Sequence, residues 1–513
     1  MVEGLMATRD DKEVARRTLG ALLAGIADQT LPAAQRGRAV TGLFDDSRRV
    51  RPGGIFVAIR GTEADGRRFI GDALERGASV LIGENLAPTG DALVINVDDA
   101  RATLARLATR WYGLTGPRSN DFHLLGVTGT NGKTTTAHMT RAILQAAGLR
   151  CGMLGTVQYD LCNRSLSADL TTPGPLELAE HLRQCIDAGG HAAVVEVSSH
   201  ALAQRRTEGL RLSGAVFTNL SQDHLDYHRT FEAYREAKSR LFAQLDEAAV
   251  AVVNRDDQHW EAMLRGCKAH IVTYALDHDA DITASVMRDT IGGTRYRLHL
   301  DRADLVLENT LVGRHNVYNA MAAAGLAGVL KVPTEAIERG LSSVRSIPGR
   351  LQRVPCLRGV EVFVDYAHTD DALRNVARVL KPPARRRLII VFGCGGERDR
   401  TKRPLMAQAA AEFGDALIVT SDNPRSEDPR RIIDDMLAGL DENARRRVLV
   451  EPDRRTAIQA ALAGATEGDI VLIAGKGHED CQIVGRQRLH FDDVEVAIQA
   501  AEGLKTRKGS SAP

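Results

Sequence analysis

Short apolar runs recur along the chain, many of them separated by helix-length stretches, the pattern of strands buried in parallel sheets beneath covering helices. Up to about Ser119 the runs are Gly54 to Ile59, Val80 to Ile82 and Ala92 to Val97, and Arg101 to Tyr112 reads as the last helix of a small α/β unit. Thr115-Gly116-Pro117-Arg118-Ser119 is breaker chemistry suited to a linker. From Asp121 to about Val344 the runs are His123 to Val127, Ala192 to Val197, Ala215 to Asn219 and Ala249 to Asn254. Between Ile282 and Val312, the alternation Thr294 to Leu300 after Gly292-Gly293 predicts an antiparallel hairpin added to that sheet. Ser346-Ile347-Pro348-Gly349 is the next break, and the final third repeats the logic with Val360 to Asp365, Arg387 to Phe392, Ala416 to Thr420 and Asp469 to Ala474. The expected organisation is three α/β domains over 1–119, 120–346 and 347–513. In the two larger ones the unusual residues follow the apolar runs directly, at the carboxyl edge where open parallel sheets bind ligands. Two such edges facing each other would make an interdomain cleft.

Composition changes this picture little. A chain of 513 residues divided by about 150 per domain gives about three domains. Lys plus Arg is 67 against 66 Asp plus Glu, so no global field argues for nucleic acid or an anionic membrane, and an anionic substrate must be held locally. The seven cysteines (151, 162, 185, 267, 356, 394 and 481) form no Cys-x-x-Cys pair and no zinc-like spacing. With no run near the ~20 apolar residues of a membrane span, the expectation is a reduced, soluble, cytoplasmic protein without nucleic-acid partners or membrane insertion.

The sharpest local signal is Gly126-Val127-Thr128-Gly129-Thr130-Asn131-Gly132-Lys133-Thr134-Thr135, between a strand and the Thr134 to Ala147 helix. Its glycines let backbone N–H groups close around phosphate at a helix N-terminus, Lys133 would neutralise the β/γ-phosphates, and Thr134 would ligate Mg²⁺. Val127 stands at the usual first-glycine position, and the bland alternative is a Gly-rich strand-to-helix turn. Other residues say less alone. Lys238, in the helical stretch Phe231 to Phe242, reads as a solvated lysine, and Asn316 and Asn319 read as helix-start caps before Ala320 to Val329. Asp422-Asn423-Pro424-Arg425 is turn chemistry, although an arginine there offers a bidentate grip on a carboxylate. Cys394, in Phe392-Gly393-Cys394-Gly395-Gly396, reads as packing in a tight turn.

The variant Gly129-Thr130-Asn131-Gly132-Lys133-Thr134-Thr135 resembles that of the Mur ligase family, ATP-dependent amide-forming enzymes of peptidoglycan precursor synthesis with folylpolyglutamate synthases as relatives. Glu196-Val197-Ser198-Ser199-His200, Thr218 to Asp226, His315 to Asn319 and Asp365-Tyr366-Ala367-His368-Thr369 resemble further family blocks in the family's order. The resemblance runs from Asp46-Ser47-Arg48 to Gly475-Lys476-Gly477-His478-Glu479-Asp480. Asp370 stands where many relatives have proline, and Leu170 where some carry a polar residue.

The resemblance implies a uridine-diphosphate-binding N-terminal domain, a central P-loop ATPase-like parallel-sheet domain and a Rossmann-like C-terminal domain for the amino acid. It implies ATP on Gly129 to Thr135, with Asn316 and Asn319 near the base and Arg350 and Asp365 reaching it from the third domain. Lys133, Glu196, His224 and Lys238 would be catalytic. Mg²⁺ would be held by Thr134, Glu196, His224 and a carbamate on Lys238, which requires a depressed lysine pKa. Asp45, Ser47, Thr62, Glu63 and Ala64 match the uridine-diphosphate pocket, and Thr171, Thr172, Ser198, Gln204 and Arg206 the muramyl-peptide site. Arg398, Asp422, Asn423, Pro424, Arg425, Gly475 and Glu479 match the amino-acid site of members that add meso-2,6-diaminopimelate. The implied reaction joins that amino acid to UDP-N-acetylmuramoyl-L-alanyl-D-glutamate through an acyl phosphate, by a monomer whose third domain turns onto the second about Ile347-Pro348-Gly349. Lysine- or dipeptide-adding ligases, folylpolyglutamate synthesis and an inactive nucleotide-binding scaffold are the alternatives.

Overall fold

The computed structural model describes residues 17–26, 31–61, 64–115, 119–301 and 303–509. Thr62 and Glu63 of the expected uridine-diphosphate pocket, and Gly116 to Arg118 of the expected linker, lie outside the described residues.

Four parallel strands in sequence order, β1 (Leu43–Phe44), β2 (Ile55–Ala58), β3 (Val80–Gly83) and β4 (Leu93–Asn96), make the first sheet. The Asp99 carboxylate caps the Ala100–Trp111 helix by accepting from Ala102 N, and Leu104, Leu107 and Ala108 of that helix bury against the Ile55, Val57 and Val80 side chains. On its outer side this helix meets the Pro175–Asp187 helix, while Arg106 pairs with Glu208 at 2.7 Å.

The second sheet has eleven strands: β5 (His123–Thr128), β6 (Cys151–Leu154), β7 (Gln158–Asp160), β8 (Ser165–Ser167), β9 (Ala192–Glu196), β10 (Gly214–Phe217), β11 (Val250–Asn254), β12 (His270–Ala275), β13 (Ile282–Thr290), β14 (Gly293–Leu300) and β15 (Ala303–Asn309). Their order is β15-β14-β13-β12-β11-β10-β5-β9-β6-β7-β8, parallel from β13 to β6 and antiparallel outside that block. The predicted hairpin is present and extended by β15 into a three-stranded meander, with a register shift between Val286 and Arg288. Strand β5 lies between β9 and β10, so the loop after it opens at the point where the chain's crossovers diverge, the preferred ligand crevice of such sheets.

The third sheet orders β16 (Gln352–Arg353), β17 (Glu361–Asp365), β18 (Leu388–Phe392), β19 (Ala416–Val419), β20 (Val448–Val450) and β21 (Ile470–Ala474) as β16-β17-β21-β18-β19-β20, with only β16 antiparallel. A separate hairpin, β22 (Cys481–Val484) with β23 (Gln487–His490), follows it. Behind β21 the Arg454 guanidinium, fully buried, holds the Asp493 carboxylate at 2.7 and 2.8 Å and the Ala474 carbonyl at 3.0 Å. Among the described residues no helix is long and apolar enough to cross a membrane.

The structure corrects two local expectations: Lys238, read as a solvated lysine, is buried at 1% exposure on the inner face of its helix, and the asparagine caps are misplaced. The helix expected at Ala320 begins at Arg314 and runs to Gly328, so Asn316 and Asn319 lie inside it and cap nothing; its N-cap is Gly313. Asn316 Nδ2 instead donates back to Val312 O at 2.8 Å, and Asn319 Nδ2 donates to Asn316 Oδ1 at 3.2 Å. The Arg314–Gly328 helix and the Thr334–Ser343 helix pack on the Lys133–Ala146 helix. At the second contact Gly340 faces backbone: a Cβ there would stand 2.6 Å from Ile143 N and 2.9 Å from Ala142 C. Gly340→Ala is therefore expected to wedge the helices apart and cost about 1–3 kcal/mol. Gly328→Ala, with nothing within 4 Å, is the control; denaturant unfolding of the two variants should show an earlier transition only for Gly340→Ala.

Candidate active site

The loop after β5 is shaped by two residues that tolerate no side chain. Gly129 has φ +148° and would drive a Cβ into the Thr218 hydroxyl, and Gly132 has φ +87° and would drive one into the Asn319 amide. The segment after β10 clasps the loop: Thr130 N donates to Asn219 O at 2.8 Å, Asn131 N to Asn219 Oδ1 at 3.0 Å, and Thr218 Oγ1 to Asn131 O at 2.6 Å. Asn319 accepts from Thr136 Oγ1 at 3.3 Å, propping the first turn of the Lys133–Ala146 helix from behind. The loop is thus fixed before any anion arrives, with the helix N-terminus open to it.

Two lysines converge on one carbonyl there. Lys133 Nζ donates to Gly129 O at 2.9 Å and Thr130 O at 2.8 Å, and Lys238 Nζ donates to the same Gly129 O at 2.7 Å. Lys238 is 1% exposed and lies 4.8 Å from the centre of the Tyr234 ring. Burial first, and then the charge of Lys133, push the Lys238 ammonium well below the usual lysine range. Burial also lowers Lys133, against the pull of the Glu196 and Asp223 carboxylates.

Glu196, at the end of β9 and 1% exposed, accepts from three neutral donors: Thr134 Oγ1 at 2.9 Å, Thr156 Oγ1 at 3.0 Å and Thr156 N at 3.0 Å. An anion buried against hydroxyls and amides, with no cation bonded to it, retains a demand for positive charge. His224 is held in the left-handed region (φ +53°), 3.4 Å from Asp223, and its ring lies 4.7 Å from His200 and 6.3 Å from Tyr234. The structure therefore joins Thr134 to Glu196 directly, and sets the Tyr234 ring beside both His224 and Lys238. No group of three or more His, Cys, Asp and Glu side chains is gathered around one point among the described residues.

The third sheet reaches this loop. Arg350 Nη2 donates to Thr134 Oγ1 at 3.0 Å, with the guanidinium over the Tyr366 ring at 5.0 Å. Asp365 does not extend to the loop: its carboxylate accepts from Leu351 N at 2.6 Å and Ala367 N at 2.8 Å, fixing the turn that carries Arg350. A residue the sequence reading passed over, Asp371, accepts from Asn131 Nδ2 at 3.2 Å and Ser221 Oγ at 2.8 Å, latching the two carboxyl edges together. Gly349, at the expected hinge, has φ +64° and packs on the Gly477 and His478 backbone.

Beside Glu196 five of the expected substrate residues form one cluster. Thr172 Oγ1 donates to Glu196 O at 2.7 Å and accepts from Ser198 N at 3.0 Å; Arg206 donates to Thr172 O at 2.5 Å and to Gln204 Oε1 at 2.9 Å. Thr156 Oγ1 bonds Thr171 Oγ1 at 3.2 Å. Asp45 and Ser47 follow β1, and Ala64 lies in the turn after β2, at the carboxyl edge of the first sheet; Ala64 O accepts from Gly61 N.

The Asp422 to Arg425 turn follows β19 and meets the segment after β21. Asn423 Nδ2 donates to Glu479 Oε2 at 2.8 Å, and Arg425 Nη1 donates to Gly396 O at 2.7 Å. Arg425 sits at φ +53°, its N–H bonded to Ile483 O, so the β22–β23 hairpin fixes the strained turn. Arg398 and Arg425 both border Gly395, and Gly475 (φ +118°) lies against the Asp422 carboxylate. Lys476, fully buried, was also missed: its ammonium donates to Glu479 Oε2 at 2.9 Å and Asn423 Oδ1 at 3.1 Å and lies 3.6 Å from Asp422. Its place one glycine beyond the apolar run Ile470 to Ala474 was the signal available.

Comparison with known proteins agrees with this geometry. The model described as "Mur ligase family, catalytic domain" matches residues 39–112, "Mur ligase middle domain" 127–327, and "Mur ligase, glutamate ligase domain" 349–477. The chain is 44% identical over 467 residues to the UDP-N-acetylmuramoyl-L-alanyl-D-glutamate--2,6-diaminopimelate ligase of Solibacter usitatus, covering 90% of this chain and 94% of that protein. It is 42% identical over 494 residues to the protein of the same name in Geobacter sulfurreducens, covering 91% and 96%. A solved structure of a UDP-N-acetylmuramoyl-L-alanyl-D-glutamate--2,6-diaminopimelate ligase superposes with TM-score 0.66 at 35% identity over 94% of this chain and 99% of that one. MurF ligase from Thermotoga maritima in complex with ADP shares the fold at 18% identity, TM-score 0.59, over 91% and 98%.

His138, on the Lys133–Ala146 helix, carries a measurable consequence of this packing. Its Nε2 is buried without a hydrogen-bond partner among the described residues, and burial, then the Arg141 and Arg350 charges, push its pKa down to about 4. The unfolded chain takes up this proton near pH 6.5 and the folded chain only near 4, so stability is complete above 6.5 and declines as pH falls through that window, by about 3 kcal/mol. Denaturant midpoints measured from pH 7 to pH 4 should decline less steeply for His138→Gln than for the parent.

Proposed function

The chain belongs to the Mur ligase family, and from that premise we propose that it joins meso-2,6-diaminopimelate to the D-glutamate γ-carboxylate of UDP-N-acetylmuramoyl-L-alanyl-D-glutamate, at the expense of ATP, in peptidoglycan precursor synthesis. The observation that carries the reading is the Arg350 bond to Thr134, which draws the amino-acid edge of the third sheet to the phosphate loop of the second. An acyl phosphate made at one edge then lies within reach of an amine held at the other. On this reading 1–119 holds the uridine diphosphate, 120–346 the ATP and 347–513 the amino acid, and the protein acts as a cytoplasmic monomer.

The residues present fit Mg²⁺. The Glu196 carboxylate and Thr134 hydroxyl are the hard oxygen donors such an ion takes, and His224 with a Lys238 carbamate would supply a second set. Bound there, the ion would neutralise charge developing on the γ-phosphate. Lys133, freed from Gly129 O and Thr130 O, turns its ammonium to the β/γ-phosphates, while Asn316 and Asn319 hold the helix start beneath the nucleotide. Thr171, Thr172, Ser198, Gln204 and Arg206 orient the muramyl dipeptide so that its γ-carboxylate attacks the γ-phosphorus, with the bond to ADP breaking. The diaminopimelate amine then attacks the acyl carbon and phosphate leaves. Arg425 and Arg398 grip the distal carboxylate and Glu479 takes the distal ammonium, with Lys476 and Asn423 positioning that carboxylate beforehand.

Phosphate release with ATP, Mg²⁺ and the UDP-linked dipeptide should favour meso-diaminopimelate over L-lysine, and Arg425→Lys should lower kcat/KM for diaminopimelate about 10- to 100-fold. Turnover with lysine alone would keep the ligase and discard the carboxylate grip; release with neither acceptor would leave a nucleotide-binding scaffold.

The Lys238 amine, short of protons and beside Lys133, suits attack on CO₂. Carbon-13 NMR of the protein in labelled bicarbonate should show a carbamate resonance that Lys238→Ala abolishes; a spectrum the variant does not change would remove the carbamate from the site.

A further inference from the structure

Away from the cleft, thiols meet where the turn between β7 and β8 covers the Pro175–Asp187 helix. Cys162 lies in that turn, partly exposed and at φ +73°, a conformation side chains rarely adopt. Cys185 lies in the last turn of the helix, fully buried. The Cys185 thiol lowers the Cys162 thiol pKa below its ordinary range, against the opposing effect of burial.

Two glycines keep the space around them clear. A Cβ on Gly152 would stand 2.6 Å from the Cys185 sulfur and 3.4 Å from the Cys162 sulfur; one on Gly190 would stand 2.9 Å from the Cys162 sulfur and 2.7 Å from the Cys185 carbonyl oxygen. Asp160 anchors both cysteines: its carboxylate accepts from Cys162 N at 2.9 Å, and its carbonyl lies 4.0 Å from the Cys185 sulfur. Arg141 holds the same carboxylate at 2.5 Å, and the Arg141 and Arg150 charges favour a thiolate at Cys162 against burial and the Asp160 charge, which oppose it. The arrangement sets a partly exposed cysteine, whose thiolate two arginines favour, across Gly152 from a fully buried one, which is how a peroxidatic cysteine and its resolving partner are disposed.

We propose that Cys162 and Cys185 form a reversible oxidation site for hydrogen peroxide. The Cys162 thiolate attacks a peroxide oxygen; the S–O bond forms as the O–O bond breaks, and the departing oxygen leaves as water after taking a proton. The Cys185 thiol then attacks the sulfenic sulfur, the S–S bond forms, the S–O bond breaks, and a second water carries off the thiol proton. Two electrons pass from the pair to the peroxide, and a dithiol reductant returns them. The bond joins the two ends of the stretch that holds β8, Thr171 and Thr172, a stretch already pinned midway by Tyr159 Oη on Leu170 O at 2.5 Å. Oxidation therefore stiffens the loop that must admit the muramyl dipeptide, a consequence that rests on the reading of Thr171 and Thr172 above.

The test treats the full chain with hydrogen peroxide, blocks free thiols with N-ethylmaleimide and maps the digest by mass spectrometry. The expected product is a Cys162–Cys185 peptide pair two hydrogens lighter than its parts, lost on adding dithiothreitol and absent from Cys162→Ser. With it, KM for the UDP-linked dipeptide should rise at least about fivefold, the low end for coupled sites, and stay unmoved in oxidised Cys162→Ser. Cys162 recovered as sulfinate or bonded to Cys151, with Cys185 alkylated, would overturn the site. A bond formed with KM unchanged would overturn its link to the loop, and because the peptide map needs no turnover, failure of the ligase reading would leave the bond itself tested.

Discussion

Two lysine nitrogens share the carbonyl oxygen of Gly129, and the remainder of the site is arranged around that crowding. Lys133 reaches it from the next turn of chain and Lys238 from 109 residues further on. Were both charged at once on one oxygen and largely out of water they would repel on the order of a few kcal/mol, and it is Lys238 whose hold on its proton is weakened. The loop holds them because its backbone cannot yield: Thr218 and Asn219 clasp it on one side, Asn319 closes the other, and glycine is the only residue that fits between. The repulsion is relieved when a phosphate draws one ammonium away, or when one lysine gives up its charge. Both routes lead towards the chemistry the family performs.

From that loop a string of hydrogen bonds carries position into the third sheet. Thr134 gives its proton to Glu196 and accepts from Arg350; Asp365 fixes the turn behind Arg350, and Arg454 fixes the strand beside it through Ala474 O. At the far end Lys476 and Asn423 hold Glu479. Because each member is oriented by a neighbour on a different element, the two carboxyl edges are set as a pair, and Asp371 adds a latch between them.

The strands and the phosphate loop were legible because a buried parallel strand writes itself as an unbroken apolar run and a phosphate cradle needs glycine at fixed offsets. Asn316 and Asn319 were misread because the Arg314–Gly328 helix starts with polar Arg314, His315 and Asn316, which carry no apolar period to announce it. Once inside a helix, an asparagine amide is free to serve another element, and Asn319 does so through Thr136, steadied by Asn316. Lys476 and Asp371 went unnoticed for a different reason: lysine between glycines and aspartate in a first turn are common surface signals, and only burial or a partner on a distant element separates them from that background. The two-residue strand β16 and the edge strand β20 are too short to leave a pattern.

The placement of β5 has a cost in time. Its neighbours come late in the chain: Thr128 bonds Val197, 69 residues on, and is bonded by Thr218, 90 residues on. At the usual pace of synthesis, about 5–20 residues per second, the phosphate loop waits roughly 5–20 s for the segment that closes it. Until β9 emerges a mostly apolar strand stands without partners on either edge, and until β10 emerges one edge stays open. The topology that makes the nucleotide crevice therefore also keeps an apolar strand edge open for longer than local helices take to form.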